Sequence, residues 1–133
     1  MEYKVNIALV CDYAFTGDAG KLNVIGVFKN INLQKSGDEV PVHRQMFVVT
    51  NISVPSEKQY TQKISLVNKD TGGVILDLPP VIAGVEKSPT GSVDLGMILQ
   101  LNDTKFEVSG NYAVDIEING EKIEEIPIIV KVS

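Results

Sequence analysis

Tryptophan is absent from this sequence, and histidine and cysteine occur once each. The lone cysteine, Cys11, rules out an intramolecular disulfide. The lone histidine, His43, rules out a multi-histidine metal centre, and Cys11 by itself does not complete a zinc set. A Cys–His nucleophile pair would need the two side chains together, and nothing in their spacing places them so. Cys11 closes an apolar run and reads as a small buried hydrophobe. Basic excess is missing too: the formal charge is −5 and the pI about 4.8. Such a surface repels phosphate, so neither nucleic acid nor an anionic membrane is an expected partner. No apolar run approaches the roughly 18 residues of a membrane helix. The first residues lack the basic and long apolar regions of a signal peptide. A cytoplasmic protein is the expectation.

Aromatic residues make up only 6% of the chain, with four Tyr and four Phe. That leaves little for the flat aromatic platforms of sugar-binding sandwiches. What is abundant is Val, Ile and Leu, within a hydrophobic fraction of 44%. Such residues suit pleated, half-buried surfaces. A chain of 133 residues fits one domain, 1–133, with enough core to fold without staples.

The dominant pattern has period two. Tyr3, Val5, Ile7 and Leu9 alternate with polar or small neighbours. Val93, Leu95, Met97, Leu99 and Leu101 do the same, as do Tyr112, Val114, Ile116 and Ile118. This alternation is the habit of antiparallel sheets with one wet face. Segments 22–28 and 45–54 are apolar on both faces and read as central strands. Ile64 and Leu66 point inward from 60–67. A turn over 69–73 leads to a return strand over 74–78, which Pro79-Pro80 ends. Phe106 and Val108 suggest one more short strand. No segment has a capped helical period. The expectation is an all-β, two-sheet antiparallel β-sandwich, immunoglobulin-like, of eight or nine strands.

The end of the chain poses a register problem. Asn119-Gly120 is a strong hairpin signal. A regular two-residue turn there places Ile116 opposite Ile123 and Asp115 opposite Glu124. Ile126, Ile128, Val130 and Val132 nevertheless form the buried set of the last strand. A one-residue slip exchanges the faces, so a bulge at Glu124-Glu125, or a wider loop over 119–125, must absorb the change. Gly110-Asn111-Tyr112 resembles the tyrosine corner of immunoglobulin-type sandwiches; the plainer reading makes Tyr112 the first inward residue of its strand.

Motifs for chemistry fare poorly. Thr16-Gly17-Asp18-Ala19-Gly20-Lys21 lacks the first glycine and the final Ser/Thr of a phosphate loop, where Phe15 and Leu22 stand instead. Asp12, Asp18, Asp94, Asp103 and Glu107 are scattered and match no calcium loop. Glu121, Glu124 and Glu125 read as edge charge against aggregation. Asn51 and Asn102 each begin a glycosylation triplet, which carries no weight without secretion. Asp12, Tyr13, Phe15 and Asp18, in a loop between Cys11 and Gly20, form a small aromatic–acidic patch and the candidate contact surface. The plainer alternative is a plug over one end of the core.

Cys11-Asp12-Tyr13-Ala14, the run from Gly20 to Phe28, and the ending built on Gly110-x-Tyr112, Ile116-x-Ile118-Asn119-Gly120 and Ile126-Pro127 together resemble a family of small uncharacterised bacterial proteins. The resemblance implies a β-sandwich with no established activity, in a bacterial or phage-associated cytosolic setting. It supplies no functional residues. Three functions are then expected in order. The first is a non-enzymatic binding or assembly module acting through protein–protein contacts, with self-association through a terminal edge strand at 126–132. The second is a small-ligand binder using the loop between Cys11 and Gly20. The third is a hydrolase built on scattered carboxylates. No cofactor or metal is expected.

Overall fold

The computed structural model describes residues 3–56, 58–84 and 87–133. Among the described residues, ten strands form two facing sheets: β1 (Lys4–Thr16), β2 (Leu22–Val27), β3 (Asn30–Leu33), β4 (Val42–Pro55), β5 (Gln59–Asn68), β6 (Val74–Asp77), β7 (Val81–Gly84), β8 (Ser92–Lys105), β9 (Gly110–Ile118) and β10 (Glu121–Val132). One sheet runs β2-β1-β4-β8; the other runs β3-β10-β9-β5-β6, with β7 also paired to β5. The expected sandwich is present. No helix among the described residues is long and apolar enough to cross a membrane.

The strand count differs from the expected eight or nine for two reasons. Asn30–Leu33 and Val81–Gly84 are four-residue strands, too short for a periodic signal to rise above chance. Residues 106–108 are not a strand: Phe106 is fully buried as a plug, and its amide bonds to the Pro41 carbonyl at 3.0 Å. The sheets are also not wholly antiparallel, because β3 lies parallel to β10, with Ile31 beside Val130. That pairing corrects a further expectation. Within residues 126–132, Ile129–Val132 is not a free edge, since β3 covers it. The strand is terminal in the chain but interior in the sheet.

The main core lies between the sheets. Met46, Val48 and Ile52 of β4 meet Ile64 and Leu66 of β5, Val114 and Ile116 of β9, and Ile128 of β10. As its two-sided apolar pattern predicts, β4 is central, between β1 and β8. The same pattern misleads for 22–28: β2 ends its sheet.

The final hairpin resolves the parity problem with a bulge. Asn119 and Gly120 adopt φ of 52° and 81°, the left-handed pair of a tight hairpin turn. Glu121 pairs with Ile118 and Lys122 with Glu117, but Glu124, not Ile123, stands opposite Ile116. The extra residue is therefore Ile123, slightly before the expected Glu124-Glu125. Beyond it, Ile126 faces Val114 and Ile128 faces Tyr112, so the buried set turns inward. Glu125 now stands opposite Asp115, a like-charge pair. Lys122 Nζ bridges them, 2.6 Å from Glu125 Oε1 and 3.4 Å from Asp115 Oδ1, and Lys69 Nζ adds a second contact to Glu125 at 2.6 Å.

The tyrosine corner is present as well. Tyr112 is buried, and its hydroxyl donates to the Val108 carbonyl four residues upstream at 2.7 Å. Its ring meets Phe106 edge-on at 5.0 Å.

Candidate functional site

The β1–β2 hairpin carries the features that a binding surface needs. Strand β1 pairs with β4 only as far as Cys11, opposite Phe47; from Cys11 to Thr16 it pairs with β2. The hairpin thus leaves the sheet plane and folds across its outer face. Ala14 and Val24 turn down onto Cys11, Phe47 and Val49, making a small second core outside the sandwich. Tyr13, Phe15, Ile25 and Val27 have the opposite parity to Ala14 and Val24, the same parity as Cys11, which Val27 stands opposite. They are 46, 39, 56 and 62% exposed. Tyr13 leans on Phe15 at 5.6 Å and meets Phe47 edge-on at 5.2 Å, which holds the aromatic pair in place.

Of the expected contact residues, Tyr13 and Phe15 share this face. Asp12 does not, because consecutive strand residues point to opposite sides. Its carboxylate lies over Gly26, where a Cβ would clash with Asp12 Oδ2. Gly26 also has φ of 70°, so both conformation and space call for glycine. Asp18 stands apart at the hairpin tip, in the short 3-10 turn Asp18–Gly20. The segment between Cys11 and Gly20 is therefore mostly strand: β1 continues to Thr16, and Cys11 does not end it. The run of Asp12, Tyr13, Ala14 and Phe15 gave no clean apolar alternation, because the hairpin buries one face on the exterior of the four-stranded sheet and not in the main core. Ile25 and Val27 were missed for the same reason, although Gly26 within an apolar run is a signal for a distorted edge strand.

Beneath the hairpin tip is an open cleft of about 390 Å³. Thr16, Gly20 and Leu22 form one wall; Val49 to Asn51 and Gly96 to Ile98 form the floor. Neither Asp12 nor Asp18 lines it. Beside the floor, Asn6 Nδ2 donates to Asn51 Oδ1 at 2.9 Å and to Ser53 Oγ at 2.7 Å, and Ser53 Oγ donates to Asp94 Oδ1 at 2.6 Å. This chain fixes the amide of Asn51 at the cleft edge.

The two candidate reactive groups are quiet. Burial pushes the Cys11 thiol pKa up, opposed in part by a hydrogen bond with the Tyr13 backbone; the thiol itself donates to the Tyr13 carbonyl at 3.4 Å. Cys11 is fully buried and free. Burial lowers the pKa of His43, partly offset by the nearby Asp12 charge; its ring rests on Phe28 at 5.7 Å. No cluster of three or more His, Cys, Asp or Glu side chains with metal-holding geometry occurs among the described residues.

Residues 6–131 match the model of a family described as "Family of unknown function (DUF6941)". The chain belongs to that family. No curated protein matches it. Among solved structures, it is similar to Pseudomonas fluorescens alkylpurine DNA glycosylase AlkC bound to DNA containing an abasic site analog. The TM-score is 0.56 at 13% identity, over 98% of this chain and 30% of that one. A β-D-mannosidase from Dictyoglomus thermophilum gives 0.49 at 11% identity, over 97% of this chain and 13% of that one. The chain spans less than a third of either protein. At such identity the glycosylase likeness concerns the fold alone.

Proposed function

We propose that this chain is a non-enzymatic binding module acting through protein–protein contacts, in a bacterial or phage-associated cytosolic setting. The observation that carries the reading is the exposed face of Tyr13, Phe15, Ile25 and Val27 on a hairpin whose outer strand, β2, ends its sheet. Contiguous exposed apolar residues mark interaction surfaces more than scattered ones do. A free strand edge beside them offers main-chain hydrogen bonds to an extended partner segment, with the side chains supplying selectivity. The buried free thiol agrees with a reducing compartment. The acidic surface argues against DNA as the partner, despite the likeness to a DNA glycosylase fold.

The test is a pull-down from bacterial lysate with the parent chain and a Tyr13→Ser/Ile25→Ser variant of confirmed fold. A partner retained by the parent and lost by the variant supports the reading. Retention of the same partners by both refutes it.

A second reading rests on the cleft, whose volume falls in the range of small-ligand sites. Here a small polar metabolite binds beneath the hairpin, against Asn51. Gly96→Leu fills the floor, where a Cβ meets nothing closer than Asn51 Nδ2 at 3.9 Å. A thermal shift from a metabolite library that Gly96→Leu abolishes supports this reading; a shift that persists in the variant refutes it.

A further inference from the structure

We propose that a second copy of this chain adds to the free edge of β8, making a two-fold dimer whose four-stranded sheets join into one of eight. The inference extends the protein–protein reading by naming a partner, but it uses a different edge from the β1–β2 hairpin.

Native sandwiches blunt their edges with short strands, proline, charge or distortion. Most edges here follow that rule. Strands β3, β6 and β7 have four residues each. Strand β2 has six and carries Gly26 at φ 70°, which limits it to a short partner segment. Strand β8 does not follow it. It is 14 residues long and pairs only with β4 among the described residues. Between Asp94 and Asp103 it has eight consecutive residues without charge or proline. An eight-residue stretch spans roughly 27 Å.

The strand's own pattern argues for a copy of itself. Directly opposed residues share a face, so a two-fold pairing must place like parity opposite like parity. An axis at Ile98, close to the middle of the uncharged stretch, does this. It sets Ile98 against Ile98, Met97 against Leu99, Leu95 against Leu101, Gly96 against Gln100, and Asp94 against Asn102. No like charges meet along the stretch. Asp103 at its end is already paired with Arg44 at 3.4 Å. The inward row of Leu95, Met97 and Leu99 is only half-buried in one chain and borders a lateral slot with Leu78, Pro79 and Val81. Antiparallel addition continues that row with the partner's own and closes the slot. An acidic chain gains nothing from a general attraction to itself, so the uncharged edge is the feature that makes self-pairing favourable.

Sedimentation velocity over a concentration series, with hydrogen exchange of the β8 amides, tests the proposal. The parent is expected to dimerise, with β8 amides protected more strongly at high concentration. Ile98→Lys places two ammonium groups at the axis, and Asn102→Asp sets a carboxylate opposite Asp94 with almost no change in size. Each is expected to raise the dissociation constant at least about tenfold, while Val108→Lys, on a distant loop, leaves it unchanged. Circular dichroism confirms that each variant folds. A parent that stays monomeric throughout, a dimer equally tight in the Ile98 and Asn102 variants, or β8 exchange independent of concentration overturns the proposal. The hairpin pull-down is unaffected by any of these results, so failure of one reading leaves the other standing.

Discussion

Replacing Tyr112 with phenylalanine removes one oxygen atom from a buried ring and leaves the rest of the side chain in place. The ring is 2% exposed and packs edge-on against Phe106, so no apolar contact is lost. What disappears is the 2.7 Å hydrogen bond to the Val108 carbonyl. A hydrogen bond of this kind contributes about 1 kcal/mol net. The orphaned carbonyl belongs to an exposed residue, so water can satisfy it and the cost stays near that figure. For 133 residues the unfolding entropy is about 0.28 kcal/mol/K. The expected fall in Tm is therefore about 4 °C. Removing the whole ring in Tyr112→Ala costs about 3–5 kcal/mol, which lowers Tm by more than about 10 °C. Thermal and urea unfolding followed by circular dichroism separate the two. A Tyr112→Phe protein as stable as the parent means that the corner hydrogen bond contributes nothing. One as unstable as Tyr112→Ala means that the hydroxyl, and not ring packing, holds the corner.

Cys11 in the folded chain is expected to react with Ellman's reagent far more slowly than in urea, because the thiol is buried and its pKa raised; equal rates refute this. The Lys122 and Lys69 ammonium groups lower the pKa of Glu125 from 4.5 to about 2. A depressed carboxylate pKa stabilises the fold above about pH 4.5, and that contribution is lost as pH falls towards 2. Glu125→Gln should flatten this acid limb, by at most about 1 kcal/mol for a partly exposed group; parallel acid limbs in urea titrations count against it. Gly26→Ala is expected to destabilise by about 1–2 kcal/mol from its left-handed backbone alone, with an added clash that Asp12→Ala relieves. Strict additivity in that double-mutant cycle excludes the Asp12 contact.

Much of the fold was legible in local patterns. The period-two runs of β8 and β9 needed only alternation, because each has one dry face and one wet face. Asn119-Gly120 announced a hairpin, and the parity of Ile126, Ile128 and Val130 demanded a bulge before any partner was known. Its place was less legible: Ile123 is absorbed one step early, where the Glu124 carboxylate can accept from the Glu125 amide at 2.9 Å. The contact surface was half legible. Tyr13 and Phe15 stood out as aromatics, but Asp12 beside them faces the other way, and Ile25 and Val27 join them only across the hairpin.

The order of residues along the chain thus determined the longer strands, the acidic charge, the free thiol and the need for a face switch near the end. These follow from neighbours a few residues apart. Tertiary structure alone decided which strands are edges. An apolar strand looks the same whether its second face is covered by a folded-back hairpin, as in β4, or is left exposed at the end of its sheet, as in β2. The four-residue β3 turned the apparent C-terminal edge into an interior strand, while the plainly amphipathic β8 was left open. Edge status depends on backbone partners more than 90 residues apart, such as Ile31 and Val130, and no local pattern encodes it.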